Sequence, residues 1–88
     1  MPKYLAKVRV MLKKEILDVQ GKTVENSFKS LGFDTISNIR IGKFITFEIE
    51  ADNLDEANNL VNTATDKLLY NPNIETYSYE VDEFLDEK

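Results

Sequence analysis

The stretch Ile36-Ser37-Asn38-Ile39-Arg40-Ile41-Gly42-Lys43-Phe44-Ile45-Thr46-Phe47-Glu48-Ile49-Glu50-Ala51 decides the fold. It is rich in β-branched and aromatic residues on both sides of a Gly-Lys pair. That pattern predicts two antiparallel strands, residues 36–41 and 44–51, joined by a tight turn or a glycine bulge. In the second of them Ile45, Phe47 and Ile49 share one face.

Working outward, residues 4–13 alternate in the same way. Tyr4, Ala6, Val8, Val10 and Leu12 fall on one face, and Leu5, Lys7, Arg9, Met11 and Lys13 on the other, which predicts a half-buried strand. Residues 74–81 form its counterpart, with Tyr77, Tyr79 and Val81 opposite Thr76, Ser78 and Glu80. Between these strands the period changes to that of a helix. Asp18 is a good N-cap, Val24, Phe28 and Leu31 recur at helical spacing, and Gly32 suits the left-handed residue that ends such a helix. A second helix starts at Asp52 or Asn53, carries Asp55 and Glu56 in its first turn, and shows Ala57, Leu60, Val61, Ala64 and Leu68 as an apolar stripe before Asn71 and Pro72 close it.

The order β-α-β-β-α-β is that of a ferredoxin-like α+β domain, a four-stranded antiparallel sheet with two helices on one face. The other face is then uncovered, with Leu5, Met11 and Phe44 among Lys7, Arg9, Arg40 and Glu48. Such a mixed surface suits partner contact. Eighty-eight residues fit one domain, 1–88, ending in an acidic tail, 82–88. A domain this small has a thin stability margin, so self-association is an expected remedy.

Composition removes whole classes of function. A net charge of −5 repels phosphate backbones and argues against nucleic acid as a partner. No apolar run is long enough to span a membrane, and the N-terminus lacks the pattern of a signal peptide, so the expected location is cytoplasmic. Cysteine and histidine are both absent. Thiolate and imidazole chemistry go with them, and so do the favoured zinc ligands. Gly21, Gly32 and Gly42 are the only glycines, and their spacing matches neither a P-loop nor a dinucleotide fingerprint.

Most residues that stand out also have a structural reading. Asp18 serves as a cap and Gly21 as a close-packing position, whereas Lys22 is less easily explained. A cation in the first turn opposes the helix dipole, and its retention there points to a contact outside the domain. Arg40 and Lys43 flank Gly42 as solvated turn residues or as anchors for an acidic surface. Tyr77 and Tyr79 read as core residues with hydroxyls at the rim. The acidic tail, with Asp82, Glu83, Asp86 and Glu87, offers no defined metal loop, while Phe84 and Leu85 within it have the character of residues that dock on a neighbour.

Ile16-Leu17-Asp18-Val19-Gln20-Gly21-Lys22, with Arg40-Ile41-Gly42-Lys43 and Asn71-Pro72-Asn73-Ile74-Glu75, resembles the pattern of the PurS family, the small subunit of phosphoribosylformylglycinamidine (FGAM) synthase. The matched positions also include Lys13 and Leu31-Gly32-Phe33. Val19 departs from the family, which usually has proline there, and leaves that turn less rigid. The resemblance implies a non-catalytic assembly subunit of the ATP- and glutamine-dependent ligase complex of purine biosynthesis. In that role it bridges a PurQ-type glutaminase and a PurL-type synthetase, assists ammonia transfer, and self-associates as a dimer or tetramer. It implies no catalytic residue, no metal and no cofactor on this chain, with ATP and Mg belonging to the large subunit. The partner interface it implies comprises Asp18, Gln20, Gly21, Lys22, Arg40, Gly42, Lys43, Asn71, Pro72 and Glu75.

Two other readings compete. An ACT-like small-ligand module shares the strand and helix order, but its glycine-rich turn after the first strand has no counterpart between Lys13 and Val19. A tautomerase using Pro2 as base would need the proline at the start of the strand, whereas here Lys3 and Tyr4 intervene.

Overall fold

Alternation in the first strand is realised in full. In the computed structural model, which describes residues 1–84, β1 (Lys3–Leu12) points Tyr4, Ala6, Val8 and Val10 into a buried layer. It is the central strand of a three-stranded antiparallel sheet of order β2-β1-β3, flanked by β2 (Gly42–Glu50) and β3 (Glu75–Glu83). The register pairs Val8 with Ile45 on one side and with Tyr79 on the other, so the apolar residues of all three strands share one face. β3 runs two residues past the expected end, taking Asp82 and Glu83 into the ladder. Phe84 stays with its own chain: its N–H donates to the Lys3 carbonyl at 3.0 Å and its ring lies 5.8 Å from the Lys3 ammonium. Leu85, Asp86 and Glu87 lie outside the described residues.

The expected fourth strand, residues 36–41, is absent, and the four-stranded ferredoxin-like sheet is corrected to three strands. Gly42 is already paired with Met11, and Arg40 donates to the carbonyls of Leu12 and Lys13, at 3.1 and 2.9 Å. The chain before Gly42 therefore continues in line with β2 instead of turning back alongside it. Asn38, at φ 57°, interrupts the extended run, and the Ile41 N–H goes to the Asp18 carboxylate at 2.7 Å. Gly42 is glycine for lack of room, not for turning: a Cβ there would overlap the Val10 carbonyl and the Met11 side chain.

α2 (Leu54–Ala64) starts on Asn53, whose Oδ1 accepts from the Glu56 N–H at 2.8 Å, while Glu56 reaches back to the Asp52 N–H at 2.7 Å. It lies on the apolar face of the sheet, mainly over β3, and buries Val61 against Ala6, Val8 and Val10 and Ala57 against Tyr4 and Ala51. Its stripe departs from the expected one. The last turn, Thr65–Leu69, is a π-helix, which adds a residue per turn and brings Leu69 onto the core while Leu68 is 84% exposed. Leu60 is also largely exposed.

α1 (Val19–Ser30) departs furthest from expectation. Its ends are well made: Asp18 caps the start, and Gly32, at φ 91°, permits a Schellman ending in which the Phe33 N–H donates to Phe28 and the Gly32 N–H to Lys29. The Phe28 and Phe33 rings meet edge to face at 5.6 Å across that turn. Yet α1 makes almost no contact with the sheet or with α2, so the expected pair of helices on one face is corrected to α2 alone. The molecule measures 52 × 36 × 15 Å with a radius of gyration of 17.0 Å, against roughly 12 Å for a compact chain of this length.

Candidate partner interface

All ten residues expected at a partner interface lie at one end of the sheet, where β1 finishes, β2 and β3 begin, and α1 starts. They divide by what their side chains do. Asp18 is 7% exposed; its Oδ1 accepts from the Gly21 N–H at 2.9 Å and its Oδ2 from the Ile41 N–H at 2.7 Å. One carboxylate thus joins the first turn of α1 to the entry of β2. Those two backbone hydrogen bonds, with the positive charge of Arg40 nearby, hold its pKa below the usual carboxylate value. Gly21 faces the Ile39 carbonyl so closely that a Cβ would overlap it.

Arg40 caps the end of β1 through the two carbonyls already described and does not stand on the uncovered sheet face, where the sequence reading put it. The turn into β3 is tied in the same manner. Asn71 accepts from the Asn73 N–H with its side chain and from the Ile74 and Glu75 N–H groups with its carbonyl, and the Glu75 carboxylate accepts from the Asn71 N–H at 2.7 Å. Lys43 reaches Glu75 at 3.6 Å, which links β2 to β3 across the end of β1.

Asp18, Gly21, Gly42, Asn71 and Glu75 are therefore framework. Gln20, Lys22 and Pro72 are exposed, and Lys22 forms no ion pair among the described residues. Two apolar residues of the family-pattern stretch are exposed at the same end. Leu17 and Val19 flank Asp18, are 75% and 66% exposed, and stand beside Lys22.

The uncovered sheet face is a lattice of cross-strand charges. Lys3, Lys7 and Arg9 of the central strand reach Glu48, Asp82 and Glu80 on the edge strands at 3.6, 3.9 and 2.8 Å. The Arg9 guanidinium also lies 5.3 Å from the Phe44 ring centroid. On the opposite face, burial and the nearby Asp66 carboxylate raise the pKa values of Tyr70 and Tyr77. Tyr77 donates to the Asn62 side-chain oxygen at 2.6 Å, in agreement with a core residue whose hydroxyl sits at the rim. Among the described residues no three carboxylates come together as metal ligands would, and no helix is long and apolar enough to cross a membrane.

Residues 5–83 match the family model described as PurS, phosphoribosylformylglycinamidine (FGAM) synthase. The chain belongs to the PurS family. The PurS subunit of Bacillus subtilis is 40% identical over 80 residues, which is 91% of this chain and 94% of that one. Among solved structures, Thermus thermophilus PurS superposes with a TM-score of 0.85 at 38% identity, covering 96% of this chain and all of that one. A chain of the PurLQS structure from Thermotoga maritima does so with a TM-score of 0.82 at 32% identity, covering 96% and 100%. Both alignments run over nearly the whole length of this chain.

Proposed function

We propose that this chain is the non-catalytic assembly subunit of an FGAM synthase. In this reading it bridges a glutaminase and an ATP-dependent synthetase in the cytoplasm, so that ammonia released from glutamine reaches the amidation site without loss to water. The observation that carries the reading is the gathering of the ten expected interface residues at one end of the sheet, where the buried Asp18 carboxylate is spent on internal hydrogen bonds. A chain without cysteine or histidine offers neither the thiolate nucleophile nor the imidazole base of a Cys-His glutaminase. Its contribution is then geometric, and the exposed Gln20, Lys22 and Pro72, with Leu17 and Val19 beside them, are the surface it offers. Self-association, as a dimer or tetramer, is part of the same reading, because an assembly subunit that joins two enzymes gains from presenting that surface more than once.

The test is reconstitution with the two partner subunits, comparing glutamine-dependent with ammonia-dependent amidation. Omitting this chain should abolish the glutamine-dependent rate and spare most of the ammonia-dependent rate. Equal rates with and without it would refute the role. Lys22→Glu should weaken complex formation on the order of tenfold at low salt and less at high salt, as expected of an exposed interfacial charge, with unchanged circular dichroism.

A further inference from the structure

We infer that the last turn of α2 exchanges between two registers: the π-turn of this structure, with Leu69 on the core, and an α-helical continuation, with Leu68 there. The exchange moves the Asn71–Glu75 turn. Only the standing of that turn as part of a partner interface rests on the reading above.

Two apolar lines run down the same segment. Counted in α-helical steps, Ala57 and Val61 continue to Ala64 and Leu68. In the π-turn the line bends instead through Thr65 to Leu69. Each line ends in a leucine, so both registers offer the core a side chain of the same size. The observed register carries two costs. Thr65 is fully buried, and its Oγ1 has no hydrogen-bond partner among the described residues; such a hydroxyl gives up its hydration and gains nothing for it. Leu68 is left in water. In the α register Leu68 would take the middle of the line, and Thr65 would fall at its flank, where the hydroxyl reaches solvent. What favours the π register lies just beyond it. The Tyr70 ring meets that of Tyr77 edge to face at 4.5 Å, its hydroxyl lies 3.4 Å from the Asp66 carboxylate, and Tyr77 is in turn held by Asn62. Opposing costs of this kind are the condition for a minor state that is populated.

The slip has one place to go. A π-turn takes up about one residue more than an α-turn, so passing to the α register releases that length into Tyr70 and Asn71. Asn71 is already the anchor of the next turn. Its carbonyl accepts from the Ile74 and Glu75 N–H groups at 3.1 and 2.8 Å, and its own N–H donates to the Glu75 carboxylate, which also meets Lys43. No slack separates the helix from this turn, and the two must rearrange together. A partner that grips Pro72 and Glu75 in one arrangement therefore favours one register, by as much as its affinities for the two arrangements differ.

Backbone relaxation dispersion by NMR on the full-length chain reads such an exchange directly. The expected result is exchange concentrated in residues 64–75. Leu68→Ala removes the side chain that the α register needs and should lower the minor population about tenfold, whereas Leu69→Ala weakens the π register and should raise it about tenfold, as loss of a half-buried leucine from one side of a balance does. Thr65→Val keeps the shape and removes the orphan hydroxyl, so it should lower the population about fivefold. Exchange that Leu68→Ala leaves unchanged would overturn the proposal. So would the absence of exchange from the Leu69→Ala chain, where the α register has its best chance, or a Thr65→Val chain in which the minor population rises. Exchange that stops at Tyr70 would overturn the coupling to the Asn71–Glu75 turn. Neither enzyme takes part in these measurements, so a failed reconstitution would refute the assembly role and leave the two registers standing.

Discussion

α1 and α2 are nearly the same length, 12 and 11 residues, and each starts on a side-chain cap, yet they take opposite places in the molecule. α2 presses Ala57 and Val61 into the sheet, while α1 buries Gly21 and Glu25 against little more than the chain that returns from it. Caps and periodicity are local, so both helices could be read from sequence. Which surface a helix covers is a tertiary matter, and for α1 the surface is missing from the chain. The contrast shows that an amphipathic stripe states a need for a partner without stating where the partner is.

The strongest way to break the comparison is to charge each stripe in turn. Val61→Asp places an unpaired carboxylate at a fully buried site and should cost on the order of 4 kcal/mol, most of the stability of so small a domain. Val24→Asp, measured by urea denaturation at a concentration where the chain is monomeric, should cost within about 0.5 kcal/mol. Equal losses would mean that α1 is packed on its own sheet after all.

Gly21→Ala sets propensity against packing. In a free helix alanine is better than glycine by about 1 kcal/mol. Here the added Cβ meets the Ile39 carbonyl, and overpacking of that kind costs roughly 1–3 kcal/mol. The expected net effect is destabilisation, together with loss of protection from hydrogen exchange at the Ile41 amide. A more stable variant would show that the loop yields and that the seat does not hold α1 in place.

Acid should loosen the same joint. Folding lowers the Asp18 pKa, so the stability it contributes is fully present above the unfolded value, near pH 4, and is lost as pH falls through the lower folded value. Asp18→Asn should be less stable than the parent chain at neutral pH, and the gap should narrow below about pH 4. A gap that is constant with pH would mean that the carboxylate is not the clamp.

How far the fold could be read follows from the range of the forces involved. The three observed strands, both caps and the Gly32 ending depend on neighbours in sequence, and each lies within two or so residues of its expected place. The fourth strand failed because Gly42-Lys43 carries a turn signal for a reason unrelated to turning. Its glycine is demanded by Val10 and Met11, thirty residues away in the chain. Arg40 was misplaced with it. At the candidate interface the pattern picked out residues that lie together at one end of the molecule but could not sort them, because Asp18 and Lys22 look equally polar until the hydrogen bonds of Ile41 and Gly21 are known.

The smallest expected effect tests how α2 ends. If the helix stayed α beyond Ala64, the stripe through Ala57, Val61 and Ala64 would continue to Leu68, and removing that side chain would cost what a half-buried leucine does, roughly 1–2 kcal/mol. The π-turn instead carries the buried line from Val61 through Thr65 to Leu69 and turns Leu68 to solvent. Leu68→Ser should therefore change the urea midpoint by no more than about 0.5 kcal/mol in stability, while Leu69→Ser carries the larger loss. The two substitutions are adjacent and chemically identical, so propensity and denatured-state effects nearly cancel between them. What remains is the phase of the helix, and a reversed order would place the end of α2, like α1, on a surface not seen here.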